Sequence, residues 1–154
     1  PCDEDRRRVS TPFSRHYDTE AVQALIPHRP PFLLVDRIDV IEPGKYVAGL
    51  KRLTGGEWWM GHDRTAPMPF TLVLESLAQT SGALLPDLAA DISGAIAYFM
   101  GADRIRMRRP AGSGDELRLE VRLRQWRRGV CRTRGVATVD GAVVLTADLT
   151  TIVR

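Results

Sequence analysis

The sequence predicts an α+β fold in which an antiparallel sheet wraps one long, largely apolar helix. Three observations carry this. Pro69 to about Leu85 is the one long segment that reads as a buried helix, with Phe70, Val73, Leu74, Leu77, Leu84 and Leu85 covering much of its circumference. Past Asp115, apolar and polar residues alternate: Leu117, Leu119, Val121 and Leu123 interleave with Arg118, Glu120, Arg122 and Arg124, the period-two pattern of a sheet with one packed face and one wet face. Asp140-Gly141 then joins two further strand-like runs, a strong two-residue hairpin signal. A single buried helix can cover its apolar surface only against such a sheet.

Taken in order, residues 1 to about 17 are polar, aperiodic and Arg-rich and read as a flexible tail, and 18–154 as a single domain. Asp18 can cap a short helix over Thr19 to Ile26, with Glu20 in its first turn and Pro27 as its stop. Phe32 to Ile38 reads as a first strand, and Lys45 to Leu53 as a second, reached through the turn Glu42-Pro43-Gly44. Pro69 suits the opening of the long helix, where its missing N–H leaves no bond unmade, and Pro86 is expected to stop it. Thr71, Glu75 and Gln79, spaced by four, leave one narrow polar stripe on it. Ala95 to Met100, Arg104 to Arg108, Val130 to Val139 and Ala142 to Val153 complete the strands.

Composition narrows the function. At 154 residues, 44% hydrophobic and 27% charged, the chain falls in the soluble globular range. No apolar run approaches the ~20 residues of a bilayer helix, so no membrane insertion is expected. The charged stretch Asp3 to Arg8 is followed by no apolar signal region, and a cytoplasmic location is the expectation. Cys2 and Cys131 are the two cysteines, which excludes a disulfide scaffold and any CxxC site. Of the 22 basic residues two are lysine, Lys45 and Lys51, and the rest arginine. An acidic partner is physically reasonable. Nucleic acid is not expected, because aromatics are 6% and no helix-turn-helix, zinc-finger or aromatic RNA-binding signature occurs.

Chemistry-bearing residues are few. His16 lies in the tail, His28 between Pro27 and Arg29, and His62 in Gly61-His62-Asp63. No HExxH, His-x3-His, GxSxG, P-loop or GxGxxG pattern is present, so neither a metal nor a nucleotide cofactor is expected. Cys131, mid-strand, reads as a small apolar residue. His62, in the loop before the helix, and Glu75, between Leu74 and Leu77 within it, remain. A desolvated carboxyl tends to keep its proton and a neutral imidazole can accept one. Such a pair suits proton abstraction beside a carbonyl with loss of a leaving group. By residue type alone, a loop histidine and a helical glutamate are equally compatible with ordinary surface roles.

Pro27-His-Arg-Pro-Pro-Phe-Leu-Leu-Val-Asp-Arg37 resembles the PHRYPFLLVDR segment of FabZ-type 3-hydroxyacyl-ACP dehydratases. The similarity continues through Gly61-His62, Met68-Pro69, Leu74-Glu75-Ser-Leu-Ala-Gln79, Tyr98-Phe99-Met-Gly101, Arg109-Pro110, Gly114-Asp115, Arg128-Gly129 and Val139-Asp-Gly141, in order over about residues 25 to 154. The resemblance implies a hotdog fold paired as a double hotdog homodimer, often a trimer of dimers, with a heterodimer as the other possibility. It also implies a site at the dimer interface in which His62 of one subunit takes the α-proton of a 3-hydroxyacyl thioester. Glu75 of the other subunit would protonate the departing hydroxyl. The product is a trans-2-enoyl thioester, formed without cofactor. The backbone N–H of Phe70 would polarise the thioester carbonyl, and Phe99 and Met107 would line the acyl tunnel. The implied partner is an acidic acyl carrier protein with a phosphopantetheine arm. Arg104, Arg106 and Arg108 alternate with Ile105 and Met107, so they are expected to share an outward face and, with Arg109, to form the docking patch.

The chain also departs from the family pattern. Where the family has HFPGxPxMPG, this chain reads His62-Asp-Arg-Thr-Ala-Pro67-Met-Pro69-Phe70, one residue shorter, with Phe70 in place of glycine. Trp58-Trp59-Met60 replaces Phe-Phe-Gln before the Gly-His step. These departures point to a specialised relative acting in polyketide or other fatty-acyl synthesis. Three other readings stay open: a hotdog acyl thioesterase, a non-catalytic or half-site subunit of a heteromeric dehydratase, and an enoyl isomerase.

Overall fold

The computed structural model describes residues 15–91, 94 and 96–154. Its strands are β1 (Arg15–Tyr17), β2 (Arg37–Glu42), β3 (Tyr46–Arg52), β4 (Ala97–Met107), β5 (Glu116–Arg127), β6 (Val130–Val139) and β7 (Ala142–Val153). They form one antiparallel sheet in the order β1-β2-β3-β5-β6-β7-β4. The helices are α1 (Thr19–Leu25) and α2 (Phe70–Ser81); α2 runs on through a 3-10 turn, Gly82–Leu84, into a last turn, α3 (Leu85–Leu88). The core lies between α2 and the inner face of the sheet: Val73, Leu77 and Leu84 pack with Ile38, Val47, Leu117, Leu119, Ala137, Leu145 and Leu149.

Two glycines let the helix sit this close. A side chain at Gly49 of β3 would place its Cβ 2.5 Å from Thr80 Oγ1, and one at Gly135 of β6 would meet Leu77 at 3.0 Å. At the β6–β7 turn, Asp140 and Gly141 both have positive φ, 49° and 79°, as the tight hairpin requires. Asp18 caps α1 as expected, its Oδ1 accepting from the Ala21 N–H at 2.9 Å.

Four expectations are corrected. Arg15–Tyr17, read as the end of a tail, pairs with β2, and His16 Nδ1 lies 2.6 Å from Asp39 Oδ1. Residues 1–14, with Cys2, lie outside the described residues. Phe32 to Asp36 is not strand: Gln79 of α2 accepts from the Leu34 N–H and donates to the Phe32 carbonyl, both at 2.9 Å, and of the segment's backbone only the Asp36 N–H reaches β3, at the Leu50 carbonyl. Pro86 does not end the helical run. The tightening at Gly82–Leu84 puts Pro86 in the first turn of α3, where a missing N–H is harmless. Finally, the two short strands expected before Arg108 are one, β4, bent by register shifts at Phe99/Gly101 and Asp103/Arg106; Ala95 lies outside the described residues.

Candidate active site

His62 follows a 3-10 turn, Trp58–Met60, whose Met60 is buried, and precedes Met68, also buried, whose N–H donates to the Ala111 carbonyl at 2.8 Å. The loop between these anchors is folded by Asp63. Its Oδ1 accepts from Thr65 N–H at 2.9 Å and Thr65 Oγ1 at 2.6 Å, and these bonds hold its carboxyl below the ordinary range. His62 stands exposed at the start of the loop, beyond Gly61 with φ +56°.

The loop leads into α2. Pro69 is its N-cap rather than its first residue, and the Pro69 carbonyl accepts from Leu72 and Val73 N–H at 2.9 and 3.2 Å. Phe70 is therefore the first helical residue, and its N–H belongs to the amides that have no acceptor within the helix. Its ring, expected on the apolar surface of the helix, is 47% exposed.

One turn on, Glu75 lines a cavity of about 970 Å³ with Leu25, His28, Gln79, Phe99 and Cys131 among its walls. Glu75 Oε1 accepts from Gln79 Nε2 at 3.0 Å and lies 3.3 Å from His28 Nε2. Cys131 is buried, which pushes its thiol pKa up to about 11 and keeps it protonated at neutral pH. The structure thus brings Glu75 and Phe99 to one cavity, while His62 is not among the residues lining it. Met107, at the far end of β4, does not line it either.

The arginine face differs from strict alternation. The shift at Asp103/Arg106, with Arg104 at φ +48°, interrupts the strand there. Arg104 and Arg106 share a shallow depression with Arg124, Arg134 and Asp148, and Asp148 pairs with both Arg104 and Arg134. Desolvation pushes the Asp148 carboxyl up, but these guanidiniums outweigh it and hold it below the ordinary range. Arg108 and Arg109 are exposed beyond the strand end, outside that depression.

Residues 26–148 match the model of the FabA-like domain. The chain is 47% identical over 132 residues to the 3-hydroxyacyl-[acyl-carrier-protein] dehydratase FabZ of Roseiflexus castenholzii, covering 84% of this chain and 92% of that one. It is 43% identical over 135 residues to the protein of the same name from Bacillus subtilis, covering 86% and 95%. The chain belongs to the FabZ-type, FabA-like dehydratase family. Its hotdog fold is shared with the dehydratase heterocomplex ApeI:P of Xenorhabdus doucetiae, at a TM-score of 0.70 and 17% identity over 85% of this chain and 89% of that one.

Two residues that the sequence did not mark as candidates, His28 and Gln79, lie beside Glu75. Gln79 was legible as the third member of the stripe at 71, 75 and 79, four residues past Glu75. His28 lies 47 positions before Glu75 (75 minus 28), and only its place in the Pro27–Arg37 motif singled it out.

Proposed function

We propose that this protein removes water from 3-hydroxyacyl thioesters carried on acyl carrier protein, releasing the trans-2-enoyl thioester. The observation that carries this reading is identity of 43–47% over most of both chains to named dehydratases, in a chain that retains His62 and Glu75 at the matching motif positions. In the proposed reaction the His62 imidazole takes the α-proton, and the electron pair left on the α-carbon forms the new double bond. The β C–O bond breaks as Glu75 gives its proton to the hydroxyl, which departs as water. The Phe70 N–H donates to the thioester oxygen as negative charge gathers there, a task suited to a helix N-terminus. Phe99 lies along the acyl chain.

Because His62 does not line the cavity that holds Glu75, the reading requires two copies, each giving one residue to each site. The long edge strand β4, with Tyr98, Phe99, Met100, Ile105 and Met107 all exposed, supplies a surface for that pairing. Arg106, Arg108 and Arg109 offer exposed positive charge to an acidic carrier.

Mass spectrometry of a panel of 3-hydroxyacyl-ACPs incubated with the protein tests this. Loss of water, greatly slowed in His62→Ala and in Glu75→Gln, is the expected result. Release of the free acid would instead establish a thioesterase. No change on any substrate, with activity appearing only after a second homologue is added, would establish a half-site subunit.

A further inference from the structure

The Gln79 side-chain amide is fixed in one orientation. Its Oε1 accepts from the Leu34 N–H, so its Nε2 is the donor to both the Phe32 carbonyl and Glu75 Oε1. Glu75 Oε1 is therefore an acceptor, and a proton on this carboxyl belongs on Oε2, which no hydrogen bond engages among the described residues. His28 approaches the same Oε1, its Nε2 at 3.3 Å. Its other nitrogen, Nδ1, is buried with no hydrogen-bond partner, so nothing in the protein receives a proton there. The Nε2 edge of the imidazole is accordingly the one that faces the carboxyl. Both side chains are about one-third exposed or less, 34% and 27%, so water screens this contact only in part.

We propose that His28 is a positioning residue for the acid: with Gln79 it holds Glu75 Oε1, leaving Oε2 as the oxygen that carries the proton and surrenders it to the departing hydroxyl. The inference rests on the reading of Glu75 as that acid. Its chemical advantage is selective. Oε1 gains negative charge as the Oε2–H bond breaks, and the Gln79 amide bonded to it, with the imidazole Nε2 3.3 Å away, stabilises that charge more than it stabilises the neutral acid.

The test is steady-state kinetics on one 3-hydroxyacyl thioester with His28→Ala, His28→Leu and His28→Gln, each checked for an unchanged melting temperature and dimer mass. A glutamine can place an N–H close to the position of Nε2; alanine and leucine cannot. His28→Ala and His28→Leu are expected to lower kcat about 10- to 100-fold with little change in KM, the size of losing one polar contact to a developing charge. His28→Gln should recover to within about 3-fold of the parent, since the donor is restored. In the Glu75→Gln background, His28→Leu should change the residual rate less than about 2-fold, because the two act as a unit. An unchanged kcat in His28→Leu, a His28→Gln as slow as the leucine variant, or the same fold-loss in the Glu75→Gln background would each overturn the proposal. A Glu75→Gln enzyme with parental kcat would overturn the acid assignment itself, and the positioning role with it. Should alanine fail to fold, the leucine and glutamine comparison decides alone.

Discussion

Gln79 joins three backbone and side-chain groups that have no other common element: Leu34 N–H, the Phe32 carbonyl and Glu75 Oε1. It is 2% exposed and its bond to the Leu34 N–H is buried, so that donor cannot turn to water when Gln79 is removed. Gln79→Leu, close in volume but without polar atoms, strands a buried donor and a part-buried acceptor. Each costs about 1–3 kcal/mol. The expected result is a melting temperature lower by several degrees in calorimetry. An unchanged melt would mean that the segment before β2 finds other partners. The spacing of Glu75 and Gln79 was legible in the sequence, because four residues is one helical turn. That residues 28, 32 and 34 meet them was not, because those contacts depend on how the segment before β2 crosses α2.

Among the elements, β4 departs from the simple alternation its sequence suggests. Eleven residues long, it pairs only with β7 among the described residues and lies at the edge of the sheet. Its apolar residues are not confined to one buried face: Tyr98, Phe99, Met100, Ile105 and Met107 are all exposed. Its two register shifts also redirect side chains that simple alternation assigns to a shared face. Such an edge invites pairing with another chain. If β4 is the seam of the proposed dimer, Met100→Glu with Ile105→Glu is expected to give a folded monomer, read as half the mass in sedimentation equilibrium with an unchanged far-UV circular dichroism spectrum. That monomer should lack dehydratase turnover, since it would hold His62 and Glu75 apart. A dimer that survives both charges would place the seam elsewhere.

Over the molecule as a whole, the charge is uneven. A formal +3 conceals an outer sheet surface where Arg122 and Arg134 stand directly opposite each other, and where Asp148 is shared by Arg104 and Arg134. Part of this charge is absorbed structurally: Arg122 lies 3.6 Å over the Tyr46 ring. Arg106 and Arg108 are exposed and stay available to a partner. Reversing both to Glu should raise KM for a carrier-bound substrate severalfold, more at low salt than at high, while a short thioester mimic reacts at the parental rate. Equal effects on both substrates would remove the carrier-docking role.

The sequence by itself determined the α+β class, the lone buried helix, β3 and the three long strands β5 to β7, and the tight turn at Asp140-Gly141, because each rests on local periodicity or on turn chemistry within a few residues. Its motifs also carried the family. Tertiary structure decided that Phe32 and Leu34 give their backbone hydrogen bonds to Gln79, that Pro86 can sit inside a helical run, and that Arg104 is tied to Asp148. It also decided that Glu75 faces His28 within the chain while His62 stands exposed in a loop outside that cavity. Each of these is a contact between residues distant in sequence or a local bend in an element, and neither leaves a period for the sequence to display.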